Sequence, residues 1–178
     1  MIWRRYVMVK TIYLTENEPY PNSSLPVLFY EGGLSDALEG NYSAEDVLKL
    51  FENNGYTHGW VSIIEDRHHF HSHVHEALAI TKGEVTVQLG GQNGEIQIFR
   101  KGDVVLLPAG VAHKRLDGTE NFEVVGAYPS NGDILDMQYG DASDYEKIKE
   151  NIKNVPRPLT DPVTGNPGDM DKYWPVSD

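Results

Sequence analysis

Between Gly59 and Tyr128 the chain is built of short apolar or alternating runs broken by Gly and Pro: WVSIIED, EALAIT, EVTVQL, EIQIF, DVVLLP and FEVVGAY. Runs of this length, each bounded by turn residues, predict six strands packed as a sandwich or barrel. Upstream, the apolar run Leu25 to Tyr30 inside PYPNSSLPVLFYEGG predicts a further strand. A helix is predicted after it. Ser43 followed by Asp46 has the form of an N-cap, and Val47, Leu48, Leu50 and Phe51 recur on one face until NNG at 53–55 ends the pattern. Beyond Gly140, SDYEKIKENIKN predicts a last helix. The remaining VPRPLTDPVTGNPGDMDKYWPVSD is too rich in Pro, Gly and Asp to form a core of its own, and its Tyr173 and Trp174 predict a tail that docks. The reading is therefore an all-β barrel with one or two peripheral helices, residues 1–140 forming one domain and 141–178 a helix and docking tail.

Composition narrows the choice of ligand. With 178 residues, 39% hydrophobic and 24% charged, the chain is long enough for one real core. A net charge of −12 argues against nucleic acid or an anionic membrane as partner and leaves small molecules. There is no cysteine, so a metal would have to be held by His, carboxylate or water. The opening MIWRRYVMVKTIYLTENEPY has no apolar run suited to a signal peptide, so a soluble cytoplasmic protein is expected. MIWRRYV contributes no pattern, which allows Met8 as the native start.

The histidines then pose the chemical question. Five of the seven lie between His68 and His75, in HHFHSHVHEALAITKG. On a strand, successive side chains alternate, so His69 and His71 share one face while His68 and Phe70 share the other. A second register would pair His71 with His73. Glu76 lies an odd number of residues beyond His71, so a turn or bulge around SHV is needed to bring it to the same face. From Glu76 a new strand is expected, and a turn at Lys82-Gly83 predicts a hairpin setting Ile80 against Val85, Leu78 against Val87 and Glu76 against Leu89. Glu76 then points into an otherwise apolar interior, which is costly unless a cation compensates it. Downstream, in KGDVVLLPAGVAHKRL, Gly102 opens a strand, Pro108 and Gly110 form a tight turn, and His113 starts the next strand.

The spacing of His69, His71, Glu76 and Gly83, followed by Gly102, Pro108, Gly110 and His113, resembles the two motifs of the cupin superfamily. The chain departs from that pattern at two positions, with Ile63 where Gly is usual and Asp117 where Asn is. HHFHSHVHEAL, LGGQNG, KGDVVLLPAGVAHKRL, FEVVGAYP, PNSSLPV and NVPRPLTDPVTG extend the likeness to the YjlB-type bacterial cupins over most of the chain. The resemblance implies a small double-stranded β-helix, or jelly-roll, barrel in which His69, His71, Glu76 and His113 hold one divalent ion (Fe, Mn, Ni, Co or Zn). It also implies a two-fold homodimer, since jelly rolls leave sheet edges that pairing covers.

Alternation turns His68 and His75 away from the ligand face, and a surface position is the simplest expectation for them and for His73. Arg115 shares the parity of His113, and Tyr128 that of Phe122 and Val124, so both are candidate catalytic side chains beside the metal. The resemblance implies a metal-dependent enzyme acting on a small polar metabolite, by oxygenation, decarboxylation or isomerisation. The alternative is a non-catalytic cupin that binds or senses a metal or small ligand.

Overall fold

The structure, a computed structural model, describes residues 7–133, 135–166 and 168–176; the patternless opening residues 1–6 lie outside them. In chain order the elements are β1 (Met8–Ile12), β2 (Val27–Glu31), α1 (Gly33–Ala37), α2 (Ala44–Asn53), β3 (Tyr56–Ser62), β4 (Glu76–Lys82), β5 (Glu84–Leu89), β6 (Glu95–Arg100), β7 (Val104–Leu107), β8 (His113–Gly118), β9 (Glu123–Pro129) and α3 (Tyr145–Lys153), with a 3-10 turn at Asp169–Lys172. Every strand pairing between them is antiparallel. One sheet has six strands in the order β1-β2-β7-β4-β9-β3, and the other has three in the order β6-β5-β8. The α2 helix starts at Ser43 with a full capping box, as its sequence predicts: the Ser43 hydroxyl accepts from Asp46 N–H and the Asp46 carboxylate accepts from Ser43 N–H.

The central strands of the large sheet are apolar on both faces because both are covered. Leu78 and Ile80 of β4, with Val105 and Leu107 of β7, pack between the sheets against Val85, Val87 and Leu89 of β5. Ala77 and Ala79 of β4 face the other way, onto Val47 and Phe51 of α2 and onto Met170 and Trp174 of the C-terminal segment. Trp174 is fully buried there and its indole N–H donates to the Pro26 carbonyl at 2.9 Å. The segment is tied down further by Asp161, which accepts from the Tyr30 hydroxyl at 2.7 Å and from Met170 N–H at 2.9 Å.

The hairpin expected at Lys82-Gly83 does not form. β4 pairs with β7 and β9, whereas β5 pairs with β6 and β8, so the chain turns a corner at Gly83 and changes sheet. The physical reason lies in the two strands' patterns. EALAITK needs cover on both faces and takes a central place in the large sheet, while EVTVQL alternates and buries only Val85, Val87 and Leu89. Gly83 adopts a φ of 69° at the corner, a left-handed conformation that suits glycine. β1 has no predicted counterpart; its half-exposed residues give neither an apolar run nor a clean alternation.

Candidate metal centre

The histidine segment is held at the open end of the space between the sheets by two isolated bridges. His69 exchanges hydrogen bonds with His113 (3.2 and 2.9 Å), and Phe70 exchanges a pair with Gln138 at 2.9 Å. The turn after β7 closes the other side. Gly110, at φ 95°, donates its N–H to the His71 carbonyl at 2.7 Å, and a β-carbon there would collide with the Asn22 backbone, so only glycine fits. Asn22 in turn ties Thr15, Gly90 and Ala112 together through its side chain, fixing the backbone just before His113.

These constraints bring His71, Glu76 and His113 together, all buried, with one candidate ligand atom from each lying within 4.8 Å of the others. Two ligands each about 2.1 Å from an ion stand at most about 4.2 Å apart, so small side-chain movements suffice to close around one. Glu76 Oε2 is in direct contact with His71 Nε2, and Glu76 Oε1 is 3.7 Å from His113 Nε2. His69 is buried on the same cavity wall, its ring centroid 4.1 Å from that of His113 and 6.3 Å from that of His71, outside the close trio. In all three imidazoles Nδ1 faces a main-chain carbonyl: Arg67 for His69 (2.7 Å), Asp136 for His71 (2.5 Å) and Val111 for His113 (3.1 Å). A carbonyl only accepts, so each Nδ1 carries the proton and Nε2 is the nitrogen available to the site. His113 Nε2 is buried with no hydrogen-bond partner, an orphan that a cation would satisfy. The donor set of imidazoles and one carboxylate fits a divalent transition metal.

Electrostatics show how the cluster manages without one. Burial opposes a charged His71, but the Glu76 carboxylate against it outweighs this and carries the imidazole up to about 9. Burial likewise opposes a charged Glu76, yet His71, then His113 and His69, hold the carboxyl down at about 2. His113 has no such partner to itself; burial first and His69 next push it down to about 3. At neutral pH the pair is therefore His71⁺ and Glu76⁻ beside a neutral His113. Metal entry would have to displace the His71 proton.

The site opens to a cavity of about 290 Å³ whose wall includes Trp60, Ile63, Ile64, Tyr128 and Met137. Tyr128 lines it, its hydroxyl accepting from the Trp60 indole at 2.9 Å; burial and the nearby Glu76 carboxylate raise the phenol well above its usual range. Trp60 can lie there because Gly126 beneath it has no side chain: a β-carbon would run into the indole. Arg115, expected to point inward, does not line the cavity. Its Nε donates to the Ile64 carbonyl at 2.9 Å and its guanidinium approaches Asp66, because the strand pairing shifts between Thr86 and Val87 just beside it. His73 is half-buried, its Nδ1 3.0 Å from the Ser72 hydroxyl, and the partly buried His68 rests against Tyr20. His75 corrects the surface expectation: it is buried on the far side of Glu76, packed on Trp174 with ring centroids 4.8 Å apart. Asp136 carried no sequence signal, yet its carboxylate accepts from Ser72 N–H (2.8 Å), the Ser72 hydroxyl (2.6 Å) and His73 N–H (3.1 Å) while its carbonyl orients His71.

Two packed antiparallel sheets with a His/Glu cluster buried at one end of the space between them define a jelly-roll protein with a candidate metal site. The chain belongs to the cupin family. The family's profile, described as Cupin, matches residues 67–135, and the chain is 32% identical over 166 residues to "Uncharacterized protein YjlB" of Bacillus subtilis (strain 168), covering 93% of this chain and 96% of that one. Among solved structures it is similar to acireductone dioxygenase from Bacillus anthracis with a cadmium ion in its active centre (14% identity, 62% of this chain and 82% of that one, TM-score 0.38). It is also similar to the 11S allergen of Cocos nucifera (13% identity, 52% and 31%, TM-score 0.35). Both structural likenesses are partial.

Proposed function

We propose that this chain is a metal-dependent cupin enzyme acting on a small metabolite, with His71, Glu76 and His113 as ligands and His69 as the fourth. The observation that carries the reading is the buried trio, with the imidazole Nε2 atoms turned into the site, beside an accessible cavity of about 290 Å³. A bound divalent ion would polarise a coordinated carbonyl or carboxylate, or activate oxygen. The chain's own residues supply the rest. Tyr128 offers a protonated hydroxyl next to Glu76, while Trp60, Ile64 and Met137 exclude water around the reacting group. The mouth is largely apolar, with Ile63 and Met137 about half exposed beside Ser62 and the carboxylate of Glu65, so a substrate with one chelating polar end and an apolar remainder fits better than a phosphorylated one.

A second reading, a non-catalytic cupin that binds or senses a metal or ligand, is favoured by the scarcity of proton-moving groups. Arg115 is committed to Ile64 and Asp66, and no lysine or arginine is among the residues lining the cavity. A homodimer in the cytoplasm is part of the proposal under either reading. The test is elemental analysis of protein purified without a metal-affinity tag, followed by oxygen uptake and product analysis against small hydroxy and keto acids. Stoichiometric metal with turnover supports the enzyme; stoichiometric metal without turnover supports the binding module; protein that neither retains nor takes up metal refutes the enzyme and a metal-binding module alike.

A further inference from the structure

His75 and Glu76 are consecutive and face different cavities. Glu76 belongs to the metal centre, whereas His75 lines a groove of about 670 Å³ between residues 13–25 and the C-terminal segment. Two stretches that supply no candidate metal ligand meet there. Pro21 to Leu25 of PNSSLPV form one bank, and Val155 and Arg157 of NVPRPLTDPVTG belong to the other.

We propose that this groove is a second ligand site, separate from the metal centre, for a small organic monocarboxylate with an apolar body. Leu25, Ile152, Val155 and Trp174 give it apolar walls. Three cations, Lys149, Lys153 and Arg157, line it against one carboxylate, Glu16, on a chain whose net charge is −12. Lys149 is paired with Glu16 at 2.8 Å, and Arg157 is held by Asp171 and the Trp174 carbonyl. Lys153, exposed at the end of α3, has no ion pair among the described residues, which leaves one cation for one anionic group. At the floor, His75 Nδ1 accepts from Ala109 N–H at 2.8 Å, so its proton sits on Nε2. That N–H is buried and turned to the Pro156 carbonyl, so His75 closes the floor of the groove. Apolar walls with one unpaired cation on the rim match a ligand with an apolar body and a single carboxylate. A phosphate dianion would lack a second cation.

The test is calorimetry on the full chain with phenylacetate, indole-3-acetate and octanoate, each beside its uncharged amide, and with inorganic phosphate. At least one carboxylate should bind about tenfold or more tightly than its amide, and phosphate should not bind. Lys153→Glu and, separately, the exposed Ser24→Glu should each weaken that binding by about tenfold or more, and Lys153→Arg should retain it. Failure of all three carboxylates to bind, equal binding of acid and amide, or indifference to both charge insertions would overturn the site.

Discussion

Glu76→Gln separates the two roles that the carboxylate plays. In the metal-free protein Glu76 is what keeps His71 charged: the imidazole rises from 6.5 to about 9, a difference of about 2.5 units. At about 1.4 kcal/mol per unit this amounts to about 3 kcal/mol of net stabilisation of the charged ring, what remains after burial has opposed it. The sign follows from the raised value. A histidine whose folded-state pKa exceeds its unfolded one contributes its full stability below pH 6.5 and loses it as pH rises through about 9. The carboxylate, held at about 2, contributes above 4.5 and loses its share only as pH falls towards 2. At pH 6 the metal-free variant should therefore melt roughly 6–12 °C below the wild type, at about 2–4 °C per kcal/mol for a chain of this size. Above pH 9 the gap should narrow. With metal the loss is larger, because glutamine leaves the ion's charge uncompensated in a poorly solvated site, and the stabilisation RT ln(1 + [L]/Kd) shrinks with affinity. Calorimetric melts of wild type, Glu76→Gln and the alanine variants of His69, His71 and His113, with and without metal, provide the measurement. An undiminished metal-induced shift in Glu76→Gln alongside its loss in the histidine variants would refute Glu76 as a ligand. A gap that does not narrow above pH 9 would refute the His71–Glu76 coupling.

His113 and His75 are held neutral by burial, at about 3 and about 4, so the metal-free protein should be fully stabilised by them above pH 6.5. It should then lose up to about 1.4 kcal/mol per group per pH unit below that, read as a falling melting temperature in a pH series. Asp136→Ala should cost about 10–100-fold in metal affinity by freeing the 71–73 segment, measured by competition with a chelator, and Asp136→Asn should recover part of it. Gly126→Ala should push Trp60 off β9, break its bond to Tyr128 and shift indole emission, with about 1–3 kcal/mol of destabilisation in a denaturant melt. Light scattering at micromolar concentration should give a dimer mass; a monomer mass would contradict the proposed pairing through exposed sheet edges.

Local alternation carried the reading of Glu76 correctly, because β4 is a regular strand and Glu76, Leu78 and Ile80 do share its inner face. It served His69 less well. Residues 68–75 form only isolated bridges, so equal parity with His71 places His69 on the right wall without fixing it in the close trio. Partner strands were beyond reach of the pattern: EALAIT and EVTVQL are neighbours in sequence, and nothing local to Lys82-Gly83 tells a hairpin from a corner between sheets. His75 was turned the right way, but that way leads inward, because the large sheet is covered by Trp174 and Met170 from a segment whose Pro, Gly and Asp content hides its packing role. Asp136 lies 65 residues from His71 in a loop without periodicity, where only tertiary contact reveals it.

The turn between β7 and β8 links the two sides of the sheet more tightly than their separate linings suggest. Its Gly110 N–H is bound to the carbonyl of His71 and its Ala109 N–H to the ring of His75, so one short backbone stretch takes its position from a candidate metal ligand and from the floor of the groove. His113 follows within a few residues, and Asn22, on the groove's other bank, holds Ala112 just ahead of it. Any ligand that shifts His75 or Asn22 thus acts on a backbone that also positions His71 and His113. If the turn has two arrangements that differ in metal affinity, the groove ligand must prefer one of them. Linkage then requires the metal to change the groove's affinity by the same factor. With neither bank of the groove supplying a metal ligand, such coupling would run through this turn and not through shared contacts.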